Sequence, residues 1–536
     1  VRPFARLLNM LFTGWTLARA GVLAPTRPDK IVRTLILLKR WGPTPASGYA
    51  ISAMRDPDRP AVHDDRGTVS FRELHEETNA FARGLRELGV GEGDGIAILC
   101  RDHAGFVRSS VAASKLGAPL LLLNTSFAGP QIAEVCEREQ PRVLIYDEEF
   151  IPLCAQAAAG RHTVIAWHDG PSSFTTIDDL VATGDRSNLS PPRDRGRVVI
   201  LTSGTTGSPK GASRHQPRSL DPAAALFSRI PLRARQPTLI ASPLFHSWGY
   251  GHFTLGLALS STLILHRRFE PEQVLASIER HRVSALVAVP LMLQRILELG
   301  PDTIHSYDTS SLRVIAVSGS SLPGELALRV MDAFGEVLYN LYGSTEVAWA
   351  SIASPRQLRA APGTAGTPPH GTRLRLFDEQ DRELRGPGRT GRIFVSNEMV
   401  MDGYTTGDGK TVLDGLFATG DVGHIDEEGR LFVSGRDDEM IVSGGENVFP
   451  REVEDLLADH PEVADVAVVG VDDHEYGQRL RAFVVLETDA NLDADGVRAH
   501  VRENLARFKV PRDVLFVEEL PRTATGKVVK RELDHS

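Results

Sequence analysis

The chain reads as an α/β protein: a large N-terminal domain of helix-covered β-sheets that includes a small β-rich subdomain, followed by a small α+β C-terminal domain. Three observations support this reading. From about Asp56 onward, short apolar runs alternate with amphipathic helical segments, the pattern of buried parallel strands covered by helices. From about Gly363 to Gly435 the helical rhythm gives way to frequent glycines and short strand-like runs. After Arg436 strands and a helix return in a unit of about a hundred residues, an ordinary domain size. The 536 residues also exceed what one core ordinarily holds. The expected divisions are 1–55 as a basic amphipathic extension, 56–436 as the large domain with its subdomain at 363–435, and 437–536 as the C-terminal domain.

In the first segment, Phe4, Leu7, Leu8, Leu11, Phe12 and Trp15 follow the spacing of one helical face. Residues 1–40 hold eight basic side chains against the single acid Asp29, a net +7, so the remainder carries −16 of the total −9. Such a helix either lies on an anionic membrane surface or packs its apolar face on the protein body, and the sequence leaves both readings open. Ala18-Arg19-Ala20 resembles a signal-cleavage site, but Asn9, Thr13 and Gly14 interrupt the apolar run, which disfavours export. Next, Leu74, Phe81, Leu85 and Leu88 mark an amphipathic helix, and the turn Gly89–Gly95 leads into a strand at Ile96–Leu99. Further strands are expected at Val143–Tyr146, Val198–Leu201, Thr238–Ala241, Leu263–Leu265, Ala285–Val289 and Val314–Val317. The β-rich part offers Leu374–Phe377, Arg392–Val395 and Leu431–Val433. The last unit offers Val463–Val469, Ala482–Leu486, a helix near Gly496–Ala506, and Val514–Val517.

The net charge argues against general nucleic-acid binding, which leaves a basic footprint. Cys100, Cys136 and Cys154 form no C-x-x-C pair, which excludes a disulfide framework or thiolate zinc site and suits a reducing cytoplasm. No apolar stretch reaches the length of a membrane span.

Thr202 to Gly211 read TSGTTGSPKG, directly after the strand Val198–Leu201. Glycines let the backbone approach an anion, hydroxyls and N–H groups coordinate phosphate oxygens, and Lys210 adds a mobile charge. Pro209 stands where a P-loop has glycine before lysine, so this is a different phosphate loop. The string resembles the signature of adenylate-forming enzymes: acyl-CoA synthetases, peptide-synthetase adenylation domains and luciferases. Four further strings resemble that superfamily's motifs in order: NLYGSTE at Asn340–Glu346, DGLFATGDVGHID at Asp414–Asp426, GRDDEMIVSGGENVFPREVE at Gly435–Glu454 and PRTATGKVVKREL at Pro521–Leu533. The likeness runs from about Asp56 to the C-terminus and is nearest to bacterial medium- or long-chain fatty acyl-CoA ligases.

The resemblance implies a mobile C-terminal domain and assigns roles. A carboxylate must attack the α-phosphate of ATP, so positive charge and fixed dipoles should dominate. Thr202, Ser203, Gly204, Thr205, Thr206, Gly207 and Lys210 would hold the β- and γ-phosphates, Thr345 the α-phosphate, and Glu346 a Mg²⁺ ion, a hard cation suited to oxygen ligands. Tyr342 would stack on adenine, flanked by Asn340, Gly343 and the segment Gly319, Ser320, Ser321. Asp421 would accept both ribose hydroxyls, with Arg436 beside it. Lys527, in Pro521-x4-Gly526-Lys527, would neutralise charge during adenylation; standing alone it would be an exposed lysine equivalent to Lys530 and Arg531. Asp438 matches the hinge, and Gly444 and Gly445 the channel for the pantetheine of CoA. Val442 departs from the lysine the family often carries there, which puts contacts of the thiol-transfer pose in doubt.

Pro243–Leu265 reads PLFHSWGYGHFTLGLALSSTLIL and by resemblance borders the acyl pocket, with His246 near the carboxylate. The stretch has no carboxylate to pair with an ammonium, which disfavours an amino-acid substrate. The expected activity is thus an ATP- and Mg²⁺-dependent fatty acyl-CoA synthetase; the competing readings are a ligase loading a carrier protein and a non-catalytic acyl- or nucleotide-binding protein. A homodimer and peripheral membrane contact through residues 1–40 remain open as partner readings.

Overall fold

The structure, a computed structural model, describes residues 2–23, 27–202, 209–407, 409–443, 446–473, 477–523 and 526–533. Within these residues four sheets form. The first runs, in spatial order, Ser351–Ala353, Leu338–Tyr342, Val314–Val317, Ala285–Ala288, Thr238–Ile240, Leu263–Ile264, Pro60–Asp64 and Gly67–Ser70. The second runs Gly403–Tyr404, Lys210–His215, Arg197–Thr202, Leu120–Leu122, Ile96–Leu99, Val143–Asp147 and His162–Trp167. In both sheets the inner pairs are parallel, and antiparallel pairs lie toward the edges.

Period-two alternation explains how these sheets are buried on both faces. Ile96 and Ile98 face the core between the two sheets, together with Ile240 and Val287 from the first sheet. Their neighbours Ala97 and Leu99 face a separate core on the far side of the second sheet, and Leu239 and Leu286 face one beyond the first. The helix Phe71–Glu87 closes the central core with Phe71, Leu74, Phe81 and Leu85. It begins at a capping box in which the Ser70 hydroxyl accepts from the Glu73 N–H and Glu73 reaches back to the Ser70 N–H.

The third sheet is antiparallel, built from Arg373–Phe377, Gly391–Ser396, Leu416–Ile425 and Leu431–Arg436 with two short edge strands. The fourth contains Ile441–Ser443, Glu446–Val448, Val463–Asp473, Gly477–Leu486 and Asp513–Phe516, covered by the helices Pro450–Ala458 and Ala494–Asn504. Every strand expected from the sequence is present, within a few residues of its expected ends. Strands the sequence does not announce include Leu120–Leu122, His162–Trp167, Leu338–Tyr342, Leu416–Ile425 and the hairpin Pro60–Asp64/Gly67–Ser70. The first of these is three apolar residues without alternation, and the hairpin has an exposed second strand.

Residues 1–55 are three helices, α1 (Arg2–Arg19), α2 (Pro28–Trp41) and α3 (Pro45–Arg55), and they do not behave as one extension. α3 belongs to the central core, where Tyr49 is fully buried. α1 is held to the body by its polar side: Asn9 Nδ2 donates to Asp221 Oδ2 at 2.8 Å and Thr13 Oγ1 to Asp221 Oδ1 at 2.5 Å, while Leu17 and Ala20 pack near Leu226 and Phe227. Leu7, Leu8, Leu11 and Trp15, expected to pack on the body or on a membrane, point to solvent.

One backbone junction fixes the third sheet against the first. The Thr367 N–H donates to the Ile352 carbonyl, Ile352 N–H returns the bond, and the Leu431 N–H donates to the Gly366 carbonyl at 2.8 Å. Gly366 sits at φ +80, and a Cβ there would lie 2.1 Å from the Ile352 carbonyl oxygen. Gly371 has nearly the same φ, +77, but nothing within 4 Å of its Cβ position. Gly366→Ala is therefore expected to destabilise by about 3–5 kcal/mol, against about 1 kcal/mol for Gly371→Ala. Thermal melting of the two variants checks this; equal losses would mean the junction tolerates the added carbon.

Candidate active site

The C-terminal ends of the first sheet's strands, the edge of the second, the third sheet and the tip of the C-terminal domain converge on a cavity of about 1280 Å³. Ligands of α/β proteins collect at such carboxyl ends, where loops are free to diverge and backbone groups are left unpaired. Of the residues singled out from the sequence, Lys210, His246, Gly319, Ser320, Ser321, Asn340, Tyr342, Gly343, Thr345, Glu346, Asp421, Arg436 and Lys527 all line this cavity. Ser203, Gly204, Thr205, Thr206, Gly207, Gly444 and Gly445 lie outside the described residues. Thr202 ends its strand paired in register with Lys210 on the antiparallel strand Lys210–His215. Asp438 falls in the short 3₁₀ turn Asp437–Glu439, directly after the strand Leu431–Arg436.

The third sheet supplies one of the cavity's buried carboxylates. Asp421 and Arg436 are partners in register on adjacent strands, with Arg436 Nη1 3.6 Å from Asp421 Oδ1. The Tyr342 hydroxyl, at the end of Leu338–Tyr342, donates to Asp421 Oδ2 at 2.6 Å. Burial raises the Asp421 carboxyl above its ordinary range, opposed by the Tyr342 hydrogen bond and by the charges of Arg436, Lys527 and Lys410. Burial and the neighbouring Asp421 carboxylate push the Tyr342 phenol upward.

Glu346 is the second acid. Its Oε1 accepts from the Tyr404 hydroxyl at 2.6 Å and its Oε2 lies 3.9 Å from Lys410 Nζ. Burial alone would raise it, but Lys410 and the hydroxyl donors outweigh that and hold it below an ordinary glutamate. An ionised, largely buried carboxylate that lines the cavity is the hard ligand that Mg²⁺ requires, so the donor chemistry fits that ion. A second cluster with metal-ligand chemistry, Cys100, His103 and Asp147, is already satisfied. His103 Nδ1 accepts from the Gly105 N–H at 3.0 Å and its Nε2 bonds Asp147 Oδ1 at 2.8 Å, deep in the body. The three cysteines are all buried and unpaired in disulfides, as small hydrophobes are.

Opposite the carboxylates stand groups that meet a carboxylic acid. His246 caps the helix Ser247–Leu259, and its Nε2 is shielded from water with no partner among the described residues. Burial, aided by the charge of Lys527, lowers His246 to about 4, so the ring is neutral near pH 7. Thr345 Oγ1 is 3.5 Å from Ser247 Oγ on the same helix end. Lys527 comes from the C-terminal domain and borders the cavity near His246 and Asp421. Gly526 makes that approach possible: at φ +78, its Cβ position lies 2.9 Å from Leu291 of the large domain. Lys530 is different. Its Nζ is held by Glu454 at 2.8 Å and Glu439 at 3.2 Å, inside the C-terminal domain.

Four further residues at this site were not singled out from the sequence, although Arg451 lies within the string Gly435–Glu454. Arg214 donates to the Thr345 carbonyl at 2.6 Å, and burial lowers its guanidinium to about 10. Tyr404 and Lys410 flank Glu346, and Lys410 also donates to the Thr419 carbonyl at 3.0 Å. Arg451 of the C-terminal domain borders the cavity within electrostatic reach of Tyr342. Tyr404 reaches Glu346 because Gly403–Tyr404 pairs with Ser213 and Ala212, nearly two hundred residues away, a pairing no local pattern announces.

The pocket helix Ser247–Leu259 separates two uses of glycine. A Cβ on Gly249 would lie 2.3 Å from the Pro243 carbonyl, and one on Gly256 would lie 2.9 Å from Leu263. Gly251 has nothing within 4 Å and opens on the cavity. Only this last glycine leaves room; the other two serve packing.

Comparison with known proteins agrees with the geometry. The family model described as AMP-binding enzyme matches residues 50–405, and that described as AMP-binding enzyme C-terminal domain matches residues 452–527. An indoleacetate–CoA ligase of Aromatoleum aromaticum is 33% identical over 494 residues, covering 89% of this chain and 95% of the relative. A feruloyl-CoA synthase of an Amycolatopsis species is also 33% identical, over 90% of this chain and 96% of the relative. The solved o-succinylbenzoate CoA synthetase of Bacillus subtilis, in complex with its acyl-adenylate intermediate, superposes with a TM-score of 0.80 at 28% identity, covering 91% of this chain and 98% of that one. The chain belongs to the AMP-binding, adenylate-forming enzyme family.

Proposed function

We propose that the protein is an acyl-CoA ligase that activates a lipophilic carboxylic acid with ATP and Mg²⁺ and transfers it to CoA, releasing AMP and pyrophosphate. The observation that carries this is the convergence of Lys527, His246, Asp421 and Glu346 on one cavity, with Lys527 brought in by a separate domain. In this reading Asp421 and Arg436 hold the ribose, Tyr342 and Asn340 flank the adenine, and Gly319–Ser321 close its other side. Lys210 and the loop before it hold the β- and γ-phosphates, and Thr345, whose carbonyl is fixed by Arg214, meets the α-phosphate. Glu346 would hold Mg²⁺, which supplies charge neutralisation on the phosphates when bound.

The substrate carboxylate attacks the α-phosphorus. The bond to the bridging oxygen breaks, its electron pair leaves with pyrophosphate, and a mixed anhydride with AMP remains. Both partners are anions, so Lys527 lowers the barrier by standing where negative charge accumulates. Neutral His246 presents an unpartnered ring nitrogen at the carboxylate end without adding a charge that would need balancing. The CoA thiolate then opens the anhydride and AMP leaves. That step has no use for Lys527, and a turn of the C-terminal domain about Asp438 would carry the lysine away and bring Gly444 and Gly445 to the thiol path.

The acid's identity rests on the shape of the cavity. The cavity continues along α2 and α3, where Leu35, Leu38 and Ile51 line it opposite Leu255 and Ala258 of the pocket helix. An apolar space of that extent favours a medium- or long-chain fatty acid. A second reading comes from the relatives, whose names specify indoleacetate, feruloyl and succinylbenzoate groups, all ring-bearing. A ring-bearing acid would sit in the part near Trp248 and Tyr250 without needing the extension.

A panel of straight-chain and aromatic acids, scored for pyrophosphate release and CoA-dependent AMP formation, separates the two readings. Highest kcat/KM with chains of ten or more carbons supports the first, and preference for arylacetic or cinnamic acids replaces it with the second. AMP formation that needs a carrier protein instead of CoA would overturn both. Gly251→Leu adds a side chain to the open part of the helix and is expected to lower kcat/KM for long chains by about tenfold or more, with little effect on short ones. Lys527→Ala is expected to slow adenylation by at least about a hundredfold and to leave thioesterification of supplied acyl-adenylate within a few fold. Equal loss of both half-reactions would remove the lysine from its assigned step.

A further inference from the structure

We propose that the outward face of α1 and α2 docks on an anionic lipid bilayer and forms the mouth through which lipophilic acids enter the cavity. The arrangement of α1 is the starting point. A helix that packs on a protein ordinarily turns its apolar stripe inward. Here Asn9 and Thr13 face the body and bond Asp221, Asn9 Oδ1 also meets His370 Nε2 at 2.8 Å, and Phe12 stacks on the His370 ring. Leu7, Leu8, Met10, Leu11 and Trp15 are left outside, each more than half exposed. On α2, Ile31, Val32, Leu35 and Ile36 make a second outward stripe at i, i+1, i+4, i+5. Ten of the fifteen large apolar side chains exposed among the described residues fall between positions 7 and 36, so the exposure is a local property of this face. A patch of this kind marks an interaction surface.

Charge identifies the occupant. Arg19, Arg33, Lys39 and Arg40 are exposed around the apolar stripes, while Arg27 pairs with Asp29 at 3.1 Å and Lys30 donates to the Arg55 carbonyl. The net positive border contrasts with the −16 carried by the rest of the chain. A second copy of the protein docked face to face would set these cations against their own images, whereas anionic headgroups neutralise them and the acyl boundary accepts the leucines. Neither helix is long and apolar enough to cross a membrane, so the face lies on the lipid rather than through it.

The cavity ties this surface to the site. Leu23, Ile31 and Leu35 are exposed on the outward face and at the same time line the cavity, together with Val22, Thr34 and Leu38. An acid dissolved in the bilayer therefore reaches the cavity past these side chains without crossing water. The docking itself depends only on the surface, so it stands or falls separately from the identity of the acid.

Flotation of the full chain with vesicles tests the proposal. Binding is expected to phosphatidylcholine vesicles containing about 30% phosphatidylglycerol, weakly to phosphatidylcholine alone, and to weaken at about 0.5 M salt. Leu8→Glu/Leu11→Glu/Val32→Glu/Ile36→Glu changes four exposed side chains that do not line the cavity. It should lose at least about tenfold in vesicle binding while turnover of a short, water-soluble acid is kept. Arg33→Glu/Arg40→Glu should abolish the preference for anionic vesicles and serves if the fourfold variant does not fold. Wild-type protein that ignores anionic vesicles, or variants that bind as wild type does, overturns the proposal. So does a wild-type dimer that the fourfold change converts to a monomer with no vesicle binding in either form, which would make the face a self-interface.

Discussion

The site is governed by the need to bring anionic substrates into a cavity that already contains buried carboxylates. Asp421 and Glu346 each require compensation, and the structure supplies it from different layers. Asp421 has a hydroxyl from the first sheet and a guanidinium from its own sheet, and Glu346 has Tyr404 and Lys410 from the loop after the third sheet's second long strand. Lys527 adds the remaining charge from a separate domain. Because these groups sit on elements that must pack in one relative position, the electrostatics of the cavity depend on the joints between sheets. The bonds through Ile352, Gly366, Thr367 and Leu431 make one such joint.

The same logic gives the placement of Lys527 its meaning. A lysine fixed permanently beside Asp421 and His246 would hold positive charge in the cavity during thiol transfer, when none is wanted. Under the proposed domain turn, a lysine carried by the C-terminal domain would be present only when the α-phosphate is under attack. Gly526 lies so close to Leu291 that a Cβ there would come within 2.9 Å of it. Lys530, three residues on, is committed to Glu439 and Glu454 and so stabilises its own domain. Two lysines of one basic stretch are thus separated by their partners, which the sequence does not display.

Strands were legible because each face of the inner sheets is buried, so apolar runs such as Ile96–Leu99 and Val314–Val317 had no alternative environment. The positions of Tyr342, Asp421, Arg436 and Lys527 were legible only through resemblance, since an isolated aspartate or lysine carries no pattern of its own. Arg214, Tyr404 and Lys410 were missed because their roles come from contacts between distant segments, and Arg451 because its place in the Gly435–Glu454 string says nothing of its reach to the cavity. Gly403–Tyr404 matters only once it is laid against Lys210–His215. At α1 periodicity found the helix and its stripe correctly but not the direction in which the stripe faces, because that depends on Asp221, two hundred residues away.

Substrate identity was the least legible property, and the pocket helix shows why. Its three glycines look alike in sequence, yet Gly249 is needed by the Pro243 carbonyl and Gly256 by Leu263, leaving Gly251 alone to shape the cavity. One open position on a helix does not distinguish a chain from a ring. What distinguishes them is whether the space continues past that helix, and the continuation is made by α2 and α3, outside the residues that form the adenylate site. Adenylation chemistry and acyl selection are therefore encoded in different parts of the chain. The family's motifs constrain the first tightly, whereas under the proposed reading the second falls to helices that need only be apolar on the side facing the acid. On α2 the outward side is apolar as well, which is consistent with a helix that meets lipid on one side and substrate on the other.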